Sequence, residues 1–115
     1  MAYTLAEGER ELGSWTLNYL PPDGGRYTGK LVVTDRRLLF DAQFDTSVGG
    51  VLRQLIVFEG SQGYLEIPKT SIRATEVRSG LLTKRVVVTL DDGSRHAFDY
   101  GMLSVKKIAA AIEAR

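Results

Sequence analysis

The stretch Gly29-Lys-Leu-Val-Val-Thr-Asp-Arg-Arg-Leu-Leu-Phe-Asp-Ala42 decides how the chain is read. Its two apolar runs, Leu31–Val33 and Leu38–Phe40, are rich in β-branched and bulky side chains. The polar tetrad Thr34-Asp35-Arg36-Arg37 between them suits a tight turn, so the reading is strand, turn, strand. Side chains alternate along a strand, which puts Leu31 and Val33 on one face and Lys30, Val32 and Thr34 on the other. On the return strand Leu38 and Phe40 face inward, with Arg37 and Asp41 outward.

Towards the N-terminus, Trp15, Leu17 and Tyr19 alternate with Ser14, Thr16 and Asn18, the pattern of a half-buried strand with Trp15 as a core anchor. Pro21-Pro22-Asp23-Gly24-Gly25 stops it, because proline cannot donate to a ladder and glycine permits positive φ. The acidic opening turn, Glu7 to Glu11, reads as a solvated lead-in or one helical turn. Towards the C-terminus, Tyr64–Ile67 is a short strand ended by Pro68, and Ile72–Val77 is another. Lys84–Leu90 is a strand with Val86, Val88 and Leu90 on one face. Asp91-Asp92-Gly93 is a hairpin turn, and Arg95–Tyr100 returns from it with Phe98 as its core residue. Gly101 breaks the pattern. From about 102 to 114, Val105, Ile108, Ala109 and Ile112 recur at helical spacing, with Lys106, Lys107 and Glu113 off the stripe.

Between the hairpin and Tyr64, residues 43–63 form an insert with an apolar run, Val51-Leu-Arg-Gln-Leu-Ile-Val-Phe58. As a helix the run groups Val51, Leu52, Leu55 and Phe58; as a strand, which the β-branched pair and the aromatic of Leu55–Phe58 favour, it alternates Leu55 and Val57 against Ile56 and Phe58. Eight residues leave both periods open. The fold class expected is mainly β: about seven antiparallel strands and one C-terminal helix, in a single domain covering residues 1–115.

At 115 residues, 43% apolar and 25% charged, the composition is that of a soluble globular domain. No cysteine is present, which excludes disulfides, thiol chemistry and the commonest zinc ligands. The formal net charge of +1 argues against a nucleic-acid partner. The first residues carry no basic segment ahead of an apolar run, and no apolar stretch reaches membrane-span length, so a cytoplasmic protein is expected. Positive charge gathers at residues 69–85, where Lys69, Arg73, Arg78, Lys84 and Arg85 face Glu76 alone.

Motifs for catalysis and nucleotide binding are missing: there is no Gly-x-Ser-x-Gly, no Gly-x4-Gly-Lys-(Ser/Thr) and no Gly-x-Gly-x-x-Gly. His96 is the sole histidine and reads as a sheet-face residue; Asp91 and Asp92 read as turn residues. No enzyme, no cofactor and no metal site are expected. Two surfaces are candidates for binding. Arg78-Ser-Gly-Leu-Leu-Thr-Lys-Arg85 sets Leu81 and Leu82 at a loop tip over Arg78, Lys84 and Arg85, an apolar-tip, basic-stem pattern suited to weak contact with an anionic membrane. The apolar run of the insert, with Val51, Leu52, Leu55, Val57 and Phe58, suits a protein partner or a second copy of the chain.

The strand-and-helix order is similar to a pleckstrin-homology-like barrel, in which the helix plugs an open end. Gly29-Lys-Leu-Val-Val-Thr-Asp-Arg-Arg-Leu-Leu-Phe40 resembles the Gly-x-Leu-x-Leu-Thr-(Asn/Asp)-(Lys/Arg)-Arg-Leu-x-Phe hairpin of GRAM domains, with Val33 in place of the second leucine. Ile67-Pro-Lys-Thr-Ser-Ile-Arg-Ala-Thr-Glu-Val77 resembles their Ile-Pro-x-x-x-Ile-x-x-x-x-Val segment, and Val86–Phe98 their Asp-Gly hairpin. The resemblance covers residues 10–114 and is to the small stand-alone bacterial type; the insert at 43–63 departs from it. It implies a non-catalytic binding module, with protein or peptide interaction or self-association as the leading expectation and peripheral lipid contact as the alternative. The basic first hairpin of phosphoinositide-binding members is absent, since only Arg26 and Lys30 stand there.

Overall fold

A computed structural model describes residues 5–22, 24–42 and 64–114. Among the described residues seven strands precede one helix: β1 (Glu11–Leu20), β2 (Tyr27–Thr34), β3 (Arg37–Ala42), β4 (Tyr64–Pro68), β5 (Ile72–Ser79), β6 (Lys84–Leu90), β7 (Arg95–Asp99) and α1 (Lys106–Glu113). A 3-10 turn, Lys69–Ser71, joins β4 to β5. All seven strands form one antiparallel sheet in the order β4-β3-β2-β1-β7-β6-β5. The sheet is not closed, since β4 and β5 end it without pairing with each other. The expected mainly β class with a C-terminal helix is therefore what the chain adopts, as a curled open sheet rather than a complete barrel.

Curling follows from the core. A single buried cluster takes Leu17 and Tyr19 from β1, Leu31 and Val33 from β2, Leu38 and Phe40 from β3, Ile67 from β4, Val86 and Val88 from β6 and Phe98 from β7. Strands about 4.8 Å apart would hold β4 and β7 too far apart to share a core if the sheet were flat. The Tyr19 ring lies 5.3 Å from that of Phe40 and 5.4 Å from that of Phe98, tying three strands together. Val105, Ile108, Ala109 and Ile112 bring α1 onto the same cluster. Trp15 is half-buried and packs against it.

Three expectations are corrected. Val32 and Leu39 lie opposite each other on the outward face yet are only 1% exposed, so this hairpin is buried on both faces. The helix begins at Lys106, not near 102, because Gly101 adopts φ 65° and the N–H of Leu103 closes a turn on the Tyr100 carbonyl. Ser104 Oγ then accepts the Lys106 N–H, starting the helix there. The acidic opening, Glu7 to Glu11, is solvated except at Glu9, whose side chain is fully buried against Arg37. Arg37 Nε and Nη2 donate to the two Glu9 oxygens at 2.8 and 2.9 Å, and Thr34 Oγ1 donates to Glu9 Oε2 at 2.6 Å.

Lys69 also leaves its expected place in the basic stretch. It is 4% exposed, and its ammonium donates to the carbonyls of Ala111, at 2.7 Å, and Ala114. The last carbonyls of a helix have no intrahelical donor, and a cation there also meets the negative end of the dipole. Replacing Lys69 by Met removes these charged bonds while keeping the apolar stem. We expect a loss of about 1.5–3 kcal/mol in urea unfolding. A change below about 0.5 kcal/mol, the size of an ordinary surface substitution, would show that the contact does not hold the helix.

Candidate functional site

Two loops emerge side by side at one end of the sheet. Arg78 lies opposite Arg85 and Ser79 opposite Lys84, and the N–H of Gly80 meets the Thr83 carbonyl at 2.7 Å, so residues 80–83 form a tight connection. On the neighbouring strand Asp99 lies opposite Arg85. Beyond the ladder, the Lys84 carbonyl accepts from the Tyr100 N–H at 2.9 Å, and the Lys84 N–H donates to the Gly101 carbonyl at 2.6 Å. The segment after β7 is thus pinned against the root of the β5–β6 loop.

This pairing collects exposed apolar side chains. Leu81 is 97% exposed, Leu82 70%, Met102 72% and Leu103 59%. Among the described residues the one other exposed large apolar side chain is Val77, on β5 beside the same loops. Large apolar side chains exposed together on neighbouring loops beside charged residues make this end of the sheet a candidate interaction surface. Lys106 and Lys107 are exposed in the first turn of α1, and Lys84 is half-buried at the start of β6.

The arginines divide into two kinds. Arg85 Nη2 lies 3.4 Å and Arg26 Nη1 3.6 Å from Oδ2 of Asp99, whose side chain is fully buried and accepts the Gly101 N–H at 2.8 Å through Oδ1. One carboxylate thus holds two guanidinium groups and fixes the loop that carries Met102 and Leu103. Arg78, half-exposed, meets Glu76 at 3.3 Å. Arg78, Arg85 and Arg95, with Pro21, Pro22 and Val87, line a shallow concavity of about 450 Å3 on the outer face of the sheet.

Of the sequence candidates, Arg78, Leu81, Leu82, Lys84 and Arg85 do come together. Val51, Leu52, Leu55, Val57 and Phe58 lie outside the described residues. Met102 and Leu103 belong to the surface although the sequence reading places them in the helix. The signal available is Gly101 followed by Ser104, a break and a capping residue, which leaves the two apolar residues between them in a loop.

His96 has chemistry around it as well. Tyr19 Oη lies 2.6 Å from its Nδ1, Ser94 Oγ lies 3.2 Å from its Nε2, and Ser94 Oγ lies 2.6 Å from Asp92 Oδ1. Asp92 also accepts the Ser94 N–H, and the two Ser94 bonds hold its carboxyl below the usual range. An ionised carboxylate only accepts, so the Ser94 hydroxyl proton goes to Asp92. Ser94 Oγ then accepts from Nε2–H, and Tyr19 Oη shares a proton with Nδ1. A serine whose proton is directed to Asp92, with the imidazole donating to it, is not an activated nucleophile. The group lines a cavity of about 210 Å3 at the open seam, with Leu65, Ile67 and Leu90 as its apolar wall. Among the described residues no cluster of side chains could hold a metal ion, and no helix is long and apolar enough to cross a membrane.

No family model matches the chain, and no curated protein matches it in sequence. The resemblance to GRAM domains therefore rests on the motifs quoted above. In three dimensions the chain is similar to the C-terminal domain of an unknown protein from Leishmania infantum. The TM-score is 0.62 and the identity 12%, over 90% of this chain and 82% of that one. At that identity the likeness shows the fold alone.

Proposed function

We propose that this protein is a non-catalytic module that docks reversibly on anionic membrane surfaces through the paired loops at 80–83 and 100–104. The carrying observation is that Leu81, Leu82, Met102 and Leu103 are all exposed on two loops pinned together at Lys84. Each large apolar side chain contributes about 1.5–3 kcal/mol if fully buried in the acyl boundary, and less in proportion to its depth. Each basic residue near an anionic surface contributes about 1 kcal/mol, which Arg78, Lys84, Lys106 and Lys107 are placed to supply. Neither set suffices for stable anchoring alone. Together they favour weak attachment that falls with salt.

The test is co-sedimentation with vesicles of phosphatidylcholine alone and of phosphatidylcholine with phosphatidylserine. Wild type is expected to pellet in proportion to anionic lipid, and a Leu81→Asp, Leu82→Asp variant to stay in the supernatant. Pelleting that ignores both the lipid charge and these substitutions would sink the reading. No pelleting at all would move the function to a protein partner, the role expected of Val51–Phe58.

A further inference from the structure

The edge strand β5 carries a self-complementary pattern. Among the described residues it pairs with β6 on one side and ends the sheet on the other, leaving one row of its backbone groups outside that ladder. Its last four residues, Glu76 to Ser79, are all exposed. Val77 lies opposite Val86, which is completely buried, so Val77 points to the core side of the sheet. It is nevertheless 45% exposed, and among the described residues no strand pairs beyond β5. On the other face Arg78 meets Glu76 of its own strand at 3.3 Å, an exposed ion pair of opposite charges two residues apart that can be exchanged for the same pair between two copies.

We propose that two copies of the chain pair antiparallel along β5, about a two-fold axis at Val77. In that register Val77 meets the partner's Val77, Glu76 meets the partner's Arg78, Arg78 meets the partner's Glu76, and Thr75 meets the partner's Ser79. One apolar contact, two opposite-charge pairs and two hydroxyl pairs result, all from one stretch of sequence. Neighbouring registers lack this fit. Centred on Glu76 the strand sets carboxylate against carboxylate; centred on Arg78 it sets guanidinium against guanidinium; centred on Thr75 it sets Arg73 against Val77. Register is thus specified by charge as well as by the apolar residue. The pairing does not depend on lipid contact: the two-fold reverses the strand direction, so the Leu81–Leu82 tips point opposite ways.

The test is sedimentation of the full chain over a concentration series, with Glu76→Arg, Arg78→Glu and the double variant. Wild type is expected to approach twice the chain mass as concentration rises. Each single substitution turns both charge pairs into like-charge contacts and should weaken association by about tenfold or more. The double variant exchanges the charges and should recover it. An equimolar mixture of the two single variants should also associate, because each supplies the charge that the other lacks. The Glu76 and Arg78 side chains are 56% and 51% exposed, so the variants are expected to fold, and an unchanged urea midpoint verifies it. A wild type that stays monomeric at every concentration overturns the proposal. So do single variants that associate as wild type does, or a double variant and a mixture that both stay monomeric.

Discussion

Replacing Arg37 by Ala is expected to cost about 3–5 kcal/mol, because it strands a buried carboxylate. The Glu9 side chain is fully buried, and Arg37 grips both of its oxygens. What remains after the substitution is the Thr34 hydroxyl and the Ala6 N–H at 2.8 Å, too few donors for a charge out of water. A domain of this size has a net stability of roughly 5–15 kcal/mol, so the variant should unfold at much lower urea or not fold at all. Arg37 also lies 3.2 Å from Glu66 on β4, so the loss loosens the edge of the sheet as well as the β2–β3 turn. Arg37→Lys should fall between, since a lysine restores charge without the two-pronged geometry. An Arg37→Ala protein with a wild-type urea midpoint would show that the pair contributes nothing.

The same carboxylate gives the acid limb of the stability curve. The Arg37 hydrogen bonds outweigh the opposing effect of burial and, with those from Thr34 and Ala6, lower Glu9 from 4.5 to about 2. A carboxyl depressed on folding stabilises the native state above its unfolded pKa. That contribution is therefore complete above about pH 4.5 and disappears as the pH falls towards about 2. It amounts to about 3 kcal/mol, because every tenfold change in proton affinity corresponds to about 1.4 kcal/mol. Urea midpoints measured across this window should fall for wild type and change less for Glu9→Gln, which carries no titrating group there. Parallel curves for the two proteins would place the acid sensitivity elsewhere.

What can be read from sequence divides by the range of the interaction. The central hairpin, the Asp91–Gly93 turn and the stripe on α1 are local patterns, and each stands where alternation, turn chemistry or helical spacing puts it. Strict alternation sends Val32 and Leu39 outward, but it is a poor guide in runs without polar residues. Continuous apolar runs signal a strand buried on both faces. Glu9 gives no local sign at all, since its partner is 28 residues away and a glutamate among acidic neighbours looks solvated. Lys69 is misplaced for the same reason: it stands among other cations in sequence, although its ammonium reaches the far end of α1. For the site, Leu81 and Leu82 are legible because glycine and basic residues flank them in sequence. Met102 and Leu103 join them only through the β6–β7 ladder, which no spacing within either segment reveals.

Gly29 carries the other large effect, and its cause is space rather than charge. It sits on β2 between Leu17 of β1 and Ala42 of β3, and it is buried. A methyl group there would stand 2.7 Å from Cζ of Phe40 and 2.8 Å from Cα of Ala42, and against the Asp41 carbonyl. Backbone atoms of a central ladder cannot step aside as a flexible side chain would. Gly29→Ala should therefore force the strands apart and cost about 2–4 kcal/mol, more than ordinary overpacking of a side-chain core. Gly93 offers the contrast. Its φ is 87°, and nothing lies within 4 Å of where a Cβ would be, so Gly93→Ala meets only backbone strain. That penalty is about 1–2 kcal/mol. In urea unfolding, Gly29→Ala should fall well below Gly93→Ala, and a reversed order would show that β2 and β3 can separate without losing the fold. The glycine that opens the hairpin motif is thus required by the close approach of three strands, which is why that motif specifies a shape and leaves the ligand to the loops.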